Sequence, residues 1–154
     1  MKLFTTCILA GALAIGGAGQ ASAFKLAPPS ASFSASGNVN ISTPGGVYEC
    51  TLSIRGTTNK KGRGKITAAV FSPGASFCSN TTASGLVWKV KAVSATTAKI
   101  LNLAIVTPFG SCGPTAVPVS VSGGGVWTIN APAPPTCTAL AATLPTAPPI
   151  VIVP

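Results

Sequence analysis

Few side chains of this sequence can perform acid–base or metal chemistry. Its 154 residues include no histidine and a single acidic residue, Glu49. Paired carboxylates for glycoside hydrolysis, a Ser-His-Asp triad and a carboxylate or imidazole metal site therefore cannot be assembled. A Ser–Lys dyad that uses Lys89 or Lys91 is the remaining arrangement, but both lysines alternate with apolar residues and are expected to face water. We predict that the protein is not an enzyme and that it has no catalytic residues, no cofactor and no metal.

The cysteines predict two disulfide bonds. Cys7 lies in an apolar N-terminal stretch, which leaves four others: Cys50, Cys78, Cys112 and Cys137. An even number of cysteines without a C-x-x-C pair is typical of disulfides in an exported chain. A Cys78–Cys112 bridge would close a central hairpin, and a Cys112–Cys137 bridge would instead close the hairpin after it; in each case the remaining two cysteines pair with each other. We favour the first pairing, and the spacing alone leaves both open.

Basic residues are concentrated in one stretch between two predicted strands. The formal net charge is +9, and five cations lie close together: Arg55, Lys60, Lys61, Arg63 and Lys65. As a flexible loop over residues 56–64, this stretch is a candidate site for anionic groups of a cell envelope or a polysaccharide. The alternative is a solvated turn that keeps a charge-poor protein soluble. Nucleic acid is not expected, because no aromatic side chains lie between the cations to stack on bases.

Residues 1–23 predict a cleaved secretory signal peptide. Lys2 supplies a positive start, an apolar or small-residue stretch follows, and Ala21-Ser22-Ala23 is an A-x-A cleavage site. Removal of residues 1–23 from the 154 leaves 131, enough for one domain over residues 24–154. We expect this domain in the extracellular space, at the cell surface or in the periplasm, with no transmembrane segment after cleavage.

Alternating apolar and polar residues predict an all-β domain. The clearest run covers Ser32–Ser42, where Phe33, Val39 and Ile41 share one face and Gly37 marks a bend. Further short runs are separated by turns rich in glycine and proline, and no helix is predicted. The pattern is typical of a single disulfide-stabilised antiparallel β-sandwich or open barrel, with residues 24–31 as an extended N-terminal segment.

A central hairpin is predicted around the polar turn at residues 94–97. Its apolar face would be formed by alternate residues of two runs: Leu86, Trp88, Val90, Ala92, Leu101, Leu103 and Ile105. Trp88 and Trp127 are expected in the core. Pro118 predicts that its strand lies at a sheet edge, because proline cannot donate to a neighbouring strand. Glu49 is expected to face solvent or to pair with Arg55 or Lys65.

Several short motifs resemble one family of exported bacterial proteins. They are Phe33–Gly37, Ser84–Trp88 followed by Ala95–Ala98, the turn Pro108–Pro114, and the ending Leu144–Thr146 with Ile152–Pro154. The chain resembles the alkane-oxidation activators of the PraB type over nearly all of its predicted mature length. The resemblance implies an exported factor that helps cells to use hydrocarbons at an oil–water interface. It implies no catalytic residues.

Two functional hypotheses follow. Only 7% of residues are charged, so we expect a surface suited to an interface or to neighbouring copies of the chain. The first hypothesis is a non-enzymatic secreted or cell-surface protein that shows apolar side chains to a hydrocarbon or lipid surface and the Lys60–Lys65 loop to an anionic cell surface. The alternative is a structural subunit of surface fibres or extracellular matrix, in which the strand Ser32–Ser42 adds to the sheet of a neighbour.

Overall fold

The structure is a computed structural model that describes residues 23–72 and 76–154. The predicted signal peptide, apart from Ala23, lies outside these residues. The described chain forms eleven strands and one single-turn helix: β1 (Lys25–Ala27), β2 (Ser32–Thr43), β3 (Gly46–Thr58), β4 (Gly64–Ser72), α1 (Ser76–Ser79), β5 (Thr82–Ser84), β6 (Trp88–Ala92), β7 (Thr97–Thr107), β8 (Gly110–Val121), β9 (Val126–Ala133), β10 (Cys137–Ala147) and β11 (Val151–Val153). The all-β prediction is confirmed. The helix was not predicted, because one turn is too short to show a helical period.

Nine of the strands form one antiparallel sheet that closes into a barrel. The order is β3-β2-β10-β9-β8-β7, after which β5 and β6 occupy one position end to end before β4, which pairs back to β3. Thr82 of β5 and Lys89 of β6 each lie between β4 and β7, which gives eight strand positions. The predicted sandwich or open barrel is therefore a closed barrel. Closure removes the free edges that an open sheet would expose.

The alternating residues that predicted strands fill the inside of this barrel. On β2, Phe33, Val39 and Ile41 are buried, as the pattern predicted. Trp88 and Trp127 are 2% and 0% exposed, so both are core residues. Between the core side chains of the described residues, an apolar cavity of about 20 Å³ remains.

One predicted inward face is displaced by a β-bulge in β7. Asn102 has a positive φ of 58°, and the pairing of β7 with β8 shifts register between Ile100 and Leu103. Ile100 and Leu103 are consequently both buried. Leu101 faces outward and is half-buried, so its assignment to the apolar face is wrong. The same assignment is wrong for Leu86, which precedes β6 and is 39% exposed. A period-2 pattern cannot reveal such an extra residue.

Two predicted sheet edges are also wrong. β8 lies between β7 and β9, so Pro118 is not on an edge strand. The pairing of β8 with β9 covers residues 119–121 only. Pro118 lies just outside this pairing, where its missing N–H is tolerated. β2 pairs with β3 on one side and with β10 on the other. The fibre hypothesis therefore loses the free strand on which it was based.

The disulfides join Cys50 to Cys78 and Cys112 to Cys137, with Cα–Cα distances of 5.6 Å and 5.1 Å. The favoured pairing was wrong, and the alternative is confirmed. Cys78 belongs to α1, which packs on β3 beside Cys50, whereas the hairpin that it was expected to close lies farther around the barrel. Two disulfides fit an oxidising compartment.

A small ribbon of β1 and β11 lies outside the main sheet. The predicted extended N-terminal segment thus contains a short strand, whose Leu26 N–H donates to the Gly62 carbonyl at 2.9 Å. Among the described residues, no helix has the length and apolar character needed to cross a membrane.

Candidate functional site

The interior of the barrel has no room for a ligand. Its cavity of about 20 Å³ is enclosed by core side chains of the described residues, whereas small-molecule pockets occupy about 300–1,000 Å³. Eight-stranded barrels are narrow enough for side chains alone to fill them. Any hydrocarbon, lipid or polymer would therefore contact the outer surface.

Three aromatic side chains stack at one end of the barrel, which we call the aromatic end. The rings of Tyr48 and Phe77 are 3.9 Å apart between centroids and 12° from parallel. The Phe109 ring lies 5.6 Å from Tyr48 and 6.0 Å from Phe77. Phe77 is 5% exposed and Phe109 is 50% exposed. The stack therefore runs from the core out to solvent.

Two similar turns position this stack. Thr43-Pro44-Gly45-Gly46 connects β2 to β3, and Thr107-Pro108-Phe109-Gly110 connects β7 to β8. In each turn, the threonine hydroxyl accepts a bond from the N–H two residues later, at 3.2 Å in both cases. The Tyr48 hydroxyl donates to the Gly45 carbonyl at 3.0 Å. The repeated T-P-x-G pattern was visible in the sequence, but its pairing in space was not.

Both disulfides lie at this same end. Cys50 follows the β2–β3 turn on β3 and holds α1, which carries Phe77. Cys112 follows the β7–β8 turn and ties β8 to the start of β10 at Cys137. The disulfide residues were predicted from the sequence, but their placement at one end of the barrel was not.

Exposed apolar side chains add to the aromatic end. Val47 is 69% exposed beside the β2–β3 turn, and Val106 is 40% exposed just before the β7–β8 turn. Val70, near the end of β4, is 58% exposed. Val70 and Val106 both pair with Thr82, so they flank it on the outer wall. We call these three valines and Phe109 the apolar rim. The other large apolar side chains that are exposed among the described residues lie elsewhere: Leu86, Val87, Val93 and Val153.

Basic side chains meet on the wall toward the opposite end. Lys65 of β4 pairs with Lys89 of β6, and Lys91 of β6 pairs with Lys99 of β7. Gly64 pairs with Val90, so Arg63, one residue earlier, lies level with Lys91 in the antiparallel register. Arg63 therefore continues the row formed by Lys91 and Lys99. We call these residues the cationic grid: Arg63, Lys65, Lys89, Lys91 and Lys99. All five are exposed.

The predicted flexible loop is shorter and more ordered than expected. β3 continues to Thr58 and β4 begins at Gly64, so the predicted loop over residues 56–64 shrinks to residues 59–63. The Asn59 side-chain oxygen accepts bonds from the backbone N–H groups of Lys61 and Arg63, at 2.9 Å and 3.0 Å. Lys60 and Lys61 project from this turn into solvent. The turn therefore extends the cationic grid at the end of the barrel.

The structure divides the predicted cationic site. Lys60, Lys61, Arg63 and Lys65 lie in or beside the grid. Arg55 pairs with Ser34 and Ala68 instead and lines a neighbouring serine-rich groove.

Three members of the grid were not predicted as site residues from the sequence: Lys89, Lys91 and Lys99. The Lys-Val-Lys alternation at 89–91 was a usable signal. The pairing of Lys89 with Lys65 was not readable, because β4 and β6 meet only through barrel closure.

The acidic residue lies away from these cations. Glu49 accepts a bond from the Asn38 amide at 2.9 Å and is exposed, so its solvent-facing orientation is confirmed. Lys65 pairs with Thr57, eight residues farther along β3 and thus roughly 27 Å away along the strand. The predicted pairing of Glu49 with Lys65 is therefore wrong.

The comparison with protein families agrees with the resemblance seen in the sequence motifs. The sequence model of the family described as "alkane oxidation protein activator PraA/PraB-like" matches residues 1–154. No curated protein matches the chain significantly. No solved structure does so either. Because the family match covers the whole chain, the protein belongs to the PraA/PraB-like family of alkane oxidation protein activators.

Proposed function

We propose that the protein is a non-enzymatic exported factor that promotes alkane oxidation by adsorbing where hydrocarbon meets the cell surface. The apolar rim at the aromatic end contacts hydrocarbon. The cationic side chains at the other end contact anionic groups of the cell envelope. Family membership supports the alkane oxidation role in general, and the arrangement of the surface supports this way of acting.

The observation that carries the proposal is the separation of the two surfaces. Phe109 lies in the β7–β8 turn and Val47 beside the β2–β3 turn at one end of the strands, whereas Lys60 and Lys61 occupy the turn at the other. β3 alone spans from one end to the other over 13 residues, which is roughly 40 Å along the strand. A rigid barrel with the apolar rim and the aromatic stack at one end and its cations toward the other can face two different phases at once.

A mode of action without turnover is consistent with the chemistry of the chain. Its one acidic side chain, Glu49, is exposed and bonded to Asn38, and the sequence has no histidine. General acid–base catalysis depends on a positioned proton-transferring group near a binding cleft. The interior of the barrel is filled by side chains, which supports action at the outer surface instead.

Interfacial tension tests the proposal. The mature protein should lower the tension of a hexadecane–buffer interface, and replacement of Val47 and Phe109 by serine should slow adsorption and reduce the final effect. Both side chains lose apolar area in that variant. The matched control is Val93→Ser, which removes a 48% exposed valine from the turn at the cationic end.

Two outcomes would contradict the proposal. One is a wild-type protein that leaves the interfacial tension unchanged and does not bind hydrocarbon-grown cells. The other is an equal loss of adsorption in the Val93→Ser control and in the variant at the aromatic end, since the apolar rim would then have no special role.

A further inference from the structure

We propose that the cationic grid binds one chain of an acidic polysaccharide. The inference rests on the cationic half of the proposed function and names its partner: a polymer that carries a carboxylate or phosphate on successive sugar residues. The polymer would lie across β4, β6 and β7 on the outer wall. Binding of this polymer does not require contact between the aromatic end and hydrocarbon.

The grid places like charges at short and regular distances. Lys65 faces Lys89 directly, and Lys91 faces Lys99; side chains opposite each other on paired strands have Cβ atoms about 4.5–5.5 Å apart. Lys89 and Lys91 are two residues apart on β6, which is about 6.8 Å. Like charges in direct opposition destabilise a sheet, so this arrangement is explained best by an anionic partner that neutralises them.

No acidic side chain neutralises the grid. Glu49 is the single acidic residue of the sequence, and it lies toward the aromatic end, bonded to Asn38. The field of the grid is therefore uncompensated by any acidic side chain. A cluster of uncompensated cations attracts anions and raises their rate of association.

The shape of the grid favours a polymer chain. Asn59, Arg63, Lys65, Lys89, Lys91 and Leu101 line a shallow groove of about 290 Å³. The groove combines cations with the Asn59 amide, whose NH₂ group can donate to sugar hydroxyl groups. The half-buried Leu101 offers an apolar surface for the C–H faces of sugar rings.

A flat lipid bilayer fits this surface less well. Proteins that dock on bilayers insert side chains such as Trp, Phe or Leu beside their basic residues. Among the described residues, the exposed aromatic side chain, Phe109, is at the opposite end of the barrel, and the exposed apolar side chains beside β6 are the aliphatic Leu86, Val87 and Val93. Moreover, the grid lies on the convex side wall and not on a flat face, so a linear polymer can contact more of its cations.

Binding to defined polymers tests the inference. The mature protein is titrated by calorimetry with polygalacturonate, which has one carboxylate per sugar, with neutral dextran, and with phosphatidylglycerol vesicles. We expect binding to polygalacturonate that weakens as salt rises, and no binding to dextran. The Lys89→Gln/Lys91→Gln variant should bind about two- to thirtyfold more weakly, since it loses two exposed ion pairs.

The matched control is Arg55→Glu. It changes the net charge by the same two units, but Arg55 lies opposite Ser34 and Ala68 and not opposite a cation. The control should retain polygalacturonate binding within about twofold, because an exposed charge outside the contact has little effect at moderate salt. Thermal unfolding of each variant verifies that it is folded.

The possible outcomes separate this inference from the proposed function. Equal weakening in both variants would show a response to net charge alone and would overturn the inference, as would binding to vesicles without binding to polygalacturonate. The Lys89→Gln/Lys91→Gln variant should still lower interfacial tension through the aromatic end. A wild-type protein that lowers the tension but does not bind polygalacturonate would refute only the polysaccharide site.

Discussion

The ring of Tyr48 on β3 lies flat against the ring of Phe77 on α1, with centroids 3.9 Å apart. This contact and the adjacent Cys50–Cys78 bridge are what hold the single-turn helix against the barrel. Phe109 reaches the same stack from the β7–β8 turn. The aromatic end is thus built by three segments that are remote in sequence.

Truncation of Phe77 and of Phe109 should lower the stability of the domain by different amounts. Phe77→Ala should lower the free energy of unfolding by about 3–5 kcal/mol, because it removes a buried aromatic ring. Phe109→Ala should lower it by less than about 1.5 kcal/mol, because half of its ring is already in water. Urea denaturation measures both values, and equal losses would contradict the burial difference.

Removal of the Cys50–Cys78 bridge should destabilise the domain and release α1. The bridge closes a loop of 28 residues, for which the chain-entropy model gives about 3–4 kcal/mol. Cys50→Ser/Cys78→Ser should also shift the ring-proton NMR signals of Tyr48, the one tyrosine of the sequence.

The Cys112–Cys137 bridge provides the comparison for that experiment. Its loop of 25 residues is similar in length, so Cys112→Ser/Cys137→Ser should lose a similar amount of stability. The Tyr48 signals should change little, because this bridge does not hold α1. Identical shifts in both variants would count against the role assigned to Cys50–Cys78.

Gly37 is predicted to be intolerant of a side chain. A Cβ atom at this position would overlap the backbone carbonyl of Thr143 on β10. Gly37→Ala should therefore lower the free energy of unfolding by about 1–3 kcal/mol, because the two strands must move apart. Gly123→Ala is the control, since a Cβ atom there meets nothing within 4 Å; thermal unfolding should show no more than about 0.5 kcal/mol of change for it.

Thr146 is predicted to anchor the C-terminal segment. Its hydroxyl donates to the Gly125 carbonyl and accepts from the Ile150 N–H, each at 2.7 Å, and both bonds are buried. Thr146→Val should lower the free energy of unfolding by about 1–3 kcal/mol, because it leaves the buried Ile150 N–H unpaired. The Gly125 carbonyl loses one of its two bonds and keeps the one from the Thr146 backbone N–H. Hydrogen exchange at the Ile150 amide should accelerate.

The exposed Thr143 on the same strand is the control for Thr146. Thr143→Val should change the stability by no more than about 0.5 kcal/mol and leave the Ile150 exchange rate as in the wild type. An unchanged Ile150 exchange rate in Thr146→Val would show that the hydroxyl does not hold the segment.

The candidate surfaces could be predicted from the sequence only in part. The stretch from Lys60 to Lys65 was recognisable because its cations are neighbours in the chain. The extension of this cationic stretch to Lys89 and Lys99 was not recognisable, because which residues of two strands lie opposite each other depends on the register of the strands. The stack of Tyr48, Phe77 and Phe109 escaped prediction for the same reason.

The sequence by itself determined the all-β class, the inward face of β2, the burial of Trp88 and Trp127, and the presence of disulfides. These properties follow from local alternation and from composition, which act within a few residues. Only the tertiary structure decided the closure of the barrel, the cysteine pairing and the side of the sheet on which Leu101 lies. Each of these depends on contacts between distant segments or on one extra residue in a bulge, and a local pattern does not encode either.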